Sequence, residues 1–247
     1  MKTPIKRLLS LLVAVLLISI CLGQAPGFKY LGNDGTTRFF EIYDNEGKPV
    51  KQASEMGVNG NPMLTLHWGR GIIQYKNGKG YDDSSMNYSL ADHKIYYTRP
   101  EKVFLVLLPV KSLFLRIPEE AADSVTYLFK SGYPAIENLD SNSLYQVLYE
   151  GENIQLLLWE HKKVREVQNY GESREKEFVL VKQLYVYYPR EQKISPLNNS
   201  LTGIEKSLPN YRQTIQDYLG SHKFNAKDSR QLTDLVAYLD KHDRTLH

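Results

Sequence analysis

The hydrophobic pattern changes period once along this chain, near residue 200, and the change separates two kinds of structure. Upstream, short apolar or alternating runs are separated by turn signals. Met63 to Trp68 is followed by Gly69-Arg70-Gly71, then Ile72 to Tyr75, then Asn77-Gly78. Asn-Gly is a strong hairpin signal because both residues tolerate positive φ. The Gly69-Arg70-Gly71 and Gly78-Lys79-Gly80 stretches both read as hairpin turns. Met86 to Leu90 and Lys94 to Thr98 flank Ala91-Asp92-His93, which predicts another hairpin. Val103 to Leu108, Leu113 to Ile117 and Ser124 to Lys130 continue the series, the last with Val125, Tyr127 and Phe129 on one face.

Leu144 to Tyr149 leads into a Gly-containing turn at residues 150–153, and Ile154 to Val167 reads as one long strand. Along it Trp159, His161, Lys163 and Arg165 share a face that becomes polar, as expected of a strand leaving the core. Phe178 to Tyr188 is mixed. Leu184, Val186 and Tyr188 share a strand face, whereas its first half fits a strand or a short helix equally well.

Past residue 200 the spacing is helical. Tyr211, Ile215, Tyr218 and Leu219 form one stripe, and Gly220 stands where a C-capping glycine belongs. Asn225 to Asp228 reads as a capping box introducing a second stripe, Leu232, Leu235, Val236 and Leu239. The expected fold class is therefore α+β. A predominantly antiparallel sheet system, barrel- or sandwich-like, fills residues 63–200, and a C-terminal helical hairpin in 201–247 packs on it. Residues 24–62 are rich in Gly, Asn and Pro, with one strand candidate at Arg38 to Tyr43, and read as a loosely ordered lead-in.

The first residues change where this fold is expected to reside. Lys2, Lys6 and Arg7 precede a short apolar run from Leu8 to Ile20, and Gly23 supplies a small residue for cleavage. That order is the signature of a secretory signal peptide over residues 1–23, and the run is short for a membrane span. Cys21 raises a lipid anchor, which Ile20 before it disfavours, because that processing wants a small residue there. Cleavage removes the single cysteine, which excludes disulfides and thiol chemistry from the mature chain. It also removes three basic residues and leaves 28 against 28 acidic. The calculated pI of 8.7 thus reflects the leader, and neither a nucleic-acid partner nor a membrane surface is implied. The expected location is the periplasm or the extracellular space, with no membrane span after cleavage.

Several segments stand in a fixed order: Trp68-Gly-x-Gly, Asn87-Tyr-Ser-Leu90, Lys94-Ile-Tyr, and Tyr145 to Gly151 followed by an Ile-Gln-Leu-Leu run. A stretch with Lys206-Ser-Leu208 then precedes two short helices closing on Leu-Val-Ala-Tyr-Leu. In this order and spacing the chain resembles a family of uncharacterised exported proteins of Gram-negative bacteria, from about Met63 to His242. The resemblance implies export and brings no catalytic residues with it.

The search for chemistry is mostly negative. The six histidines are His67, His93, His161, His222, His242 and His247, and no two have metal-ligand spacing. Glu160 adjoins His161, but neighbours on a strand point to opposite faces, so His161 reads as solvent-facing. No G-x-S-x-G elbow appears, and Lys130-Ser131-Gly132 lacks its context. Neither glycine cluster opens a helix as a phosphate loop does. Asp82-Asp83 and Glu119-Glu120 are adjacent pairs in expected loops, and they lack calcium-loop spacing. No catalytic residue, metal or cofactor is assigned.

The abundance of tyrosine, 18 in all, offers one positive lead. Trp68, Tyr96, Trp159 and Tyr187 are candidate ligand-binding residues on a stacking platform for a saccharide or apolar ligand, although filling a β core is the more common use. The leading expectation is a non-enzymatic binding or interaction module of the cell envelope, its partner an envelope protein or such a ligand. A hydrolase of envelope or extracellular polysaccharide is the second reading, and a structural or assembly factor the third.

Overall fold

In a computed structural model, residues 28–31, 37–40, 42–43, 58–99, 102–119, 122–168 and 174–242 are described. The signal peptide and the Cys21 question lie outside these residues. Phe28–Leu31 (β1) and Thr37–Phe40 (β2) form an antiparallel pair. Every other strand joins one twelve-stranded sheet. In chain order these are Ile42–Tyr43 (β3), Val58–Asn59 (β4), Gly69–Tyr75 (β5), Gly80–Tyr88 (β6), Ile95–Arg99 (β7) and Lys102–Leu105 (β8). Val110–Glu119 (β9), Ala122–Lys130 (β10), Tyr145–Glu150 (β11), Gln155–Gln168 (β12), Arg174–Tyr188 (β13) and Lys193–Leu197 (β14) complete it. The spatial order is β14-β13-β12-β11-β10-β9-β5-β6-β7-β8-β3, with β4 alongside β13. Most neighbours are antiparallel; β3 on β8 and β4 on β13 are parallel. The molecule is thus β-rich, one large mixed sheet with a few helices at its C-terminal end.

Period-two burial explains the strands. In β5 the even positions Arg70, Ile72 and Gln74 are exposed while Gly69, Gly71 and Ile73 are buried. In β9, Leu113, Leu115 and Ile117 are all 0% exposed. Those side chains meet Ile73, Met86, Tyr88 and Phe129 in one core cluster. Phe178 to Tyr188 proves to be strand throughout, the whole of it falling inside β13, which pairs residue for residue with β12. Met63 to Trp68 lies outside the strands, and Met63 makes only an isolated bridge to Ser89. The Gly69-Arg70-Gly71 stretch is not a turn but the start of β5. A Cβ on Gly69 would fall 2.2 Å from the Arg116 carbonyl oxygen, and one on Gly71 would fall 2.3 Å from Met86 Sδ. These two glycines are there because neighbouring strands approach too closely for a side chain. Gly78, at φ +84°, does occupy the turn between β5 and β6.

The helices are Leu201–Ser207 (α1), Arg212–Ser221 (α2) and Ser229–Lys241 (α3), with a 3₁₀ turn at Pro209–Tyr211. Ile215 and Tyr218 of α2 and Leu232, Leu235, Val236 and Leu239 of α3 are buried against Ile154, Leu156, Val186 and Leu197 of the sheet. Two helix ends differ from the sequence reading. Gly220 lies inside the last turn of α2, and His222 is the C-cap. Asp228, not Asn225, is the N-cap of α3, its carboxylate accepting from the Arg230 and Gln231 N–H groups. Asn225 instead accepts from the Lys227 N–H in the preceding turn, three residues too early to start the helix.

The far half of β12–β13 extends past the ends of β11 and β14, and its two edges are met from elsewhere. Val58 and Asn59 lie beside Lys176 and Glu177. On the other edge the Lys162 N–H donates to the Leu90 carbonyl at 2.9 Å. Leu90 follows β6, five strands from β12 in sheet order, which in a flat sheet with ~4.8 Å between strands is ~24 Å away. The sheet therefore curls until the β6–β7 turn reaches β12.

Candidate functional site

Alternation along β12 sends its side chains to two different places. Leu156, Leu158, Glu160 and Lys162 take one face; Leu157, Trp159 and His161 take the other. Both faces carry polar chemistry, and the first opens on a cleft.

On the Trp159 face the β6–β7 turn delivers His93, which has φ 57°, a left-handed conformation that His adopts more readily than most residues. Its Nε2 lies 3.1 Å from His161 Nδ1, and its Nδ1 lies 3.0 Å from the Tyr88 hydroxyl. His161 Nδ1 is also 3.1 Å from the Leu90 carbonyl oxygen. A carbonyl only accepts, so His161 carries its proton on Nδ1, shared between Leu90 O and His93 Nε2. His93 is then protonated on Nδ1 and donates to Tyr88. Trp159 stacks on both imidazoles, with ring centroids 5.3 Å from His93 and 5.4 Å from His161. Burial, and secondarily His161, pushes His93 down to about 4, with Asp92 opposing. Asp92 accepts from Tyr96 Oη at 2.5 Å. His161 is thus held by a turn 68 residues away and is half-buried, where the sequence reading expects a solvent-facing side chain.

Lys162 on the opposite face donates through Nζ to the Asn61 and Met63 carbonyls, and burial holds its ammonium below the usual lysine range. It ties segment 61–63 to β12. Glu160 pairs with Lys182 across the strands at 2.6 Å, the carboxylate side chain 8% exposed. None of these groups is a nucleophile with an adjacent base, and among the described residues no group of three or more His, Cys, Asp or Glu is placed to hold a metal. The constellation fastens the curled sheet.

The second feature is concave. A cleft of about 520 Å³ lies between β12–β14 and the C-terminal helices. Leu158, Leu184, Leu197 and Leu232 make its apolar wall. Lys182, Asn198, Asn199, Ser207, Lys227 and Ser229 make its polar side. Helix α3 is set against this wall by its far end, where Asp240 Oδ1 accepts from the Asn153 and Ile154 N–H groups at 2.8 and 3.0 Å and Oδ2 from Tyr149 Oη at 3.0 Å. Burial, and then Asp240, raises the Tyr149 phenol. At its near end, Asp228 spends both carboxylate oxygens on Arg230 and Gln231. Its charge therefore caps the helix and leaves the cleft to the lysines.

The four aromatic candidates fall into two groups. Trp68 and Tyr96 pack together with Val103 and Leu105, and Tyr96 is 1% exposed. Trp159 and Tyr187 belong to a tyrosine-rich cluster with Tyr133, Tyr145 and Tyr185, where Tyr187 is 7% exposed. The rings there meet edge to face, Tyr133 on Tyr145 at 5.4 Å and Tyr145 on Tyr185 at 5.5 Å, and Tyr145 Oη is buried with no partner among the described residues. None of the four lines the cleft. Sequence reasoning missed the cleft because its walls come from strand and helix segments far apart in the chain. The one available signal was the coexistence of a lysine at 182 with Lys227 beside a helix start.

No protein-family model matches the chain, and no curated protein or solved structure shows significant similarity to it.

Proposed function

We propose that this chain is an exported, non-enzymatic binding module of the cell envelope, and that it binds a small molecule in the cleft between β12–β14 and the C-terminal helices. The observation that carries this reading is the lining. A concave site of about 520 Å³ falls within the usual range for small-molecule pockets, and aliphatic walls with a few converging polar groups are the usual makeup of such sites. Amides, hydroxyls and ammonium groups hold a ligand without exchanging protons with it at neutral pH. The rest of the architecture serves as support. The contacts of Leu90 with β12 and of β4 with β13 read as a barrel-like closure of the sheet, and α2 with α3 as a helical hairpin lying over it. Among the described residues no helix is long and apolar enough to cross a membrane. Export itself rests on the signal-like N-terminus, as does a place among the exported Gram-negative proteins the sequence resembles.

The test is recovery of the tagged mature protein from its native envelope, with bound small molecules identified by mass spectrometry. An Ala226→Trp variant, which fills the cleft, is carried in parallel. A compound that copurifies with the parent chain and is lost from the variant supports the reading. Turnover of envelope polysaccharide by the purified protein, or compounds retained equally by both, overturns it.

A further inference from the structure

The cleft's two kinds of lining are segregated, and this says what it takes. We infer that its ligand is a single amphiphilic anion, an acyl or alkyl chain ending in a carboxylate or phosphate; the inference rests on the binding-module reading above. Leu197 and Leu232, 2% and 1% exposed, belong to the core cluster beneath the helices, and Leu158 is 8% exposed, so the shape of the apolar wall is fixed by packing. A ligand meeting that wall gains by burying hydrocarbon, about 25 cal/mol per Å². The polar side is rich in donors. Lys182 and Lys227 bring two ammonium groups, and Asn198, Asn199, Ser207 and Ser229 add amides and hydroxyls. No carboxylate lines the cleft among the described residues.

Of the nearby acids, Asp228 caps α3, and Glu160, outside the lining, pairs with Lys182 at 2.6 Å. Lys227 makes no side-chain hydrogen bond or ion pair among the described residues and is the uncommitted cation of the lining, whereas Lys182, already paired with Glu160, has further N–H donors to share with a second anion. A saccharide is less well served. The lining carries no aromatic ring among the described residues for a sugar to stack on. A bilayer is less well served too, because the apolar wall is recessed under helices and only a monomer reaches it.

The experiment titrates the mature protein calorimetrically with decyl phosphate, decanoate and decanol, each below its micelle-forming concentration, and with anionic lipid vesicles. Both anionic amphiphiles are expected to bind, decanol at least about tenfold more weakly, and vesicles not at all. A Lys182→Gln/Lys227→Gln chain is expected to lose about tenfold or more toward the two anions and to keep its affinity for decanol. Ala226→Trp is expected to abolish all three. Equal binding of decanol and decyl phosphate, unchanged affinity in the double variant, vesicle binding that the monomers do not match, or no binding by either anion up to about 1 mM would each overturn the inference. Should these titrations fail while a different compound copurifies in a manner abolished by Ala226→Trp, the ligand class is wrong and the binding module stands. Should copurification be indifferent to Ala226→Trp, the binding module itself is wrong.

Discussion

His93 Nε2 lies 3.1 Å from His161 Nδ1, joining a turn and a strand that sheet order places five strands apart. The bond requires a lone pair on His93, so it exists only while His93 is neutral. In the same few residues the Lys162 N–H reaches the Leu90 carbonyl, so protonation of His93 acts at the point where the curled sheet is fastened.

A pH dependence follows. His93 is pushed down to about 4 in the folded chain from an ordinary value of 6.5. Below 6.5 the unfolded chain binds a proton that the folded chain refuses. The stability it contributes is fully present above pH 6.5 and is lost as pH falls toward 4, on the order of 3 kcal/mol in all. The facing groups are His161 and Tyr88, with Asp92 opposing the shift and Glu160 and Lys162 on the other side of β12. His93→Gln should flatten the slope of unfolding free energy between pH 4 and 6.5 in urea titrations. A slope unchanged by the substitution would assign the acid sensitivity in this window to groups other than His93.

Asp240 stands in the last turn of α3, where a carboxylate is disfavoured by the helix dipole. Its three accepted hydrogen bonds outweigh that cost. Asp240→Ala should destabilise the protein by about 1–3 kcal/mol, since two part-buried N–H groups and a phenol lose their acceptor. Hydrogen exchange at the Asn153 and Ile154 amides should quicken in the variant. Unaltered protection there would mean that the helix is held by its apolar face alone.

Gly220→Ala should stabilise the chain by about 0.5–1 kcal/mol, because the residue is helical and an added Cβ has nothing within 4 Å. A drop in the denaturation midpoint would instead restore the capping role the sequence suggests.

Gly71→Ala drives a Cβ into Met86 and should cost about 1–3 kcal/mol. Combined with Met86→Ala, the two changes should cost at least about 1 kcal/mol less than their sum. Gly69→Ala meets the Arg116 backbone instead, so the same partner change should give no such relief.

These sites show what the sequence makes legible. The alternation in β5 and β9 and the helical stripes at Ile215 and Leu235 are local, carried by residues two to four apart, and the structure repeats them. Gly71 and Gly220 were misread because their surroundings, the Met86 side chain on a neighbouring strand and the continued winding of α2 to Ser221, lie outside the local pattern. The His93–His161 bond and the cleft join segments dozens of residues apart. In the chain His161 shows only an adjacent Glu160, which points the other way. Tyr96 and Tyr187, by contrast, are plain as aromatic positions in strands, and the structure places both in apolar clusters.

Binding in the cleft is tested most directly by amide chemical-shift mapping of the isotope-labelled mature protein. The protein is mixed with the small-molecule fraction of its native envelope, and its shifts are compared with those of Ala226→Trp. With binding in the cleft, the expected perturbations are confined to Leu158, Lys182–Leu184, Leu197–Asn199, Ser207 and Ala226–Leu232 and are absent from the variant. Perturbations centred on Trp68 and Tyr96 or on His93 and Trp159, or a pattern the variant retains, would contradict it.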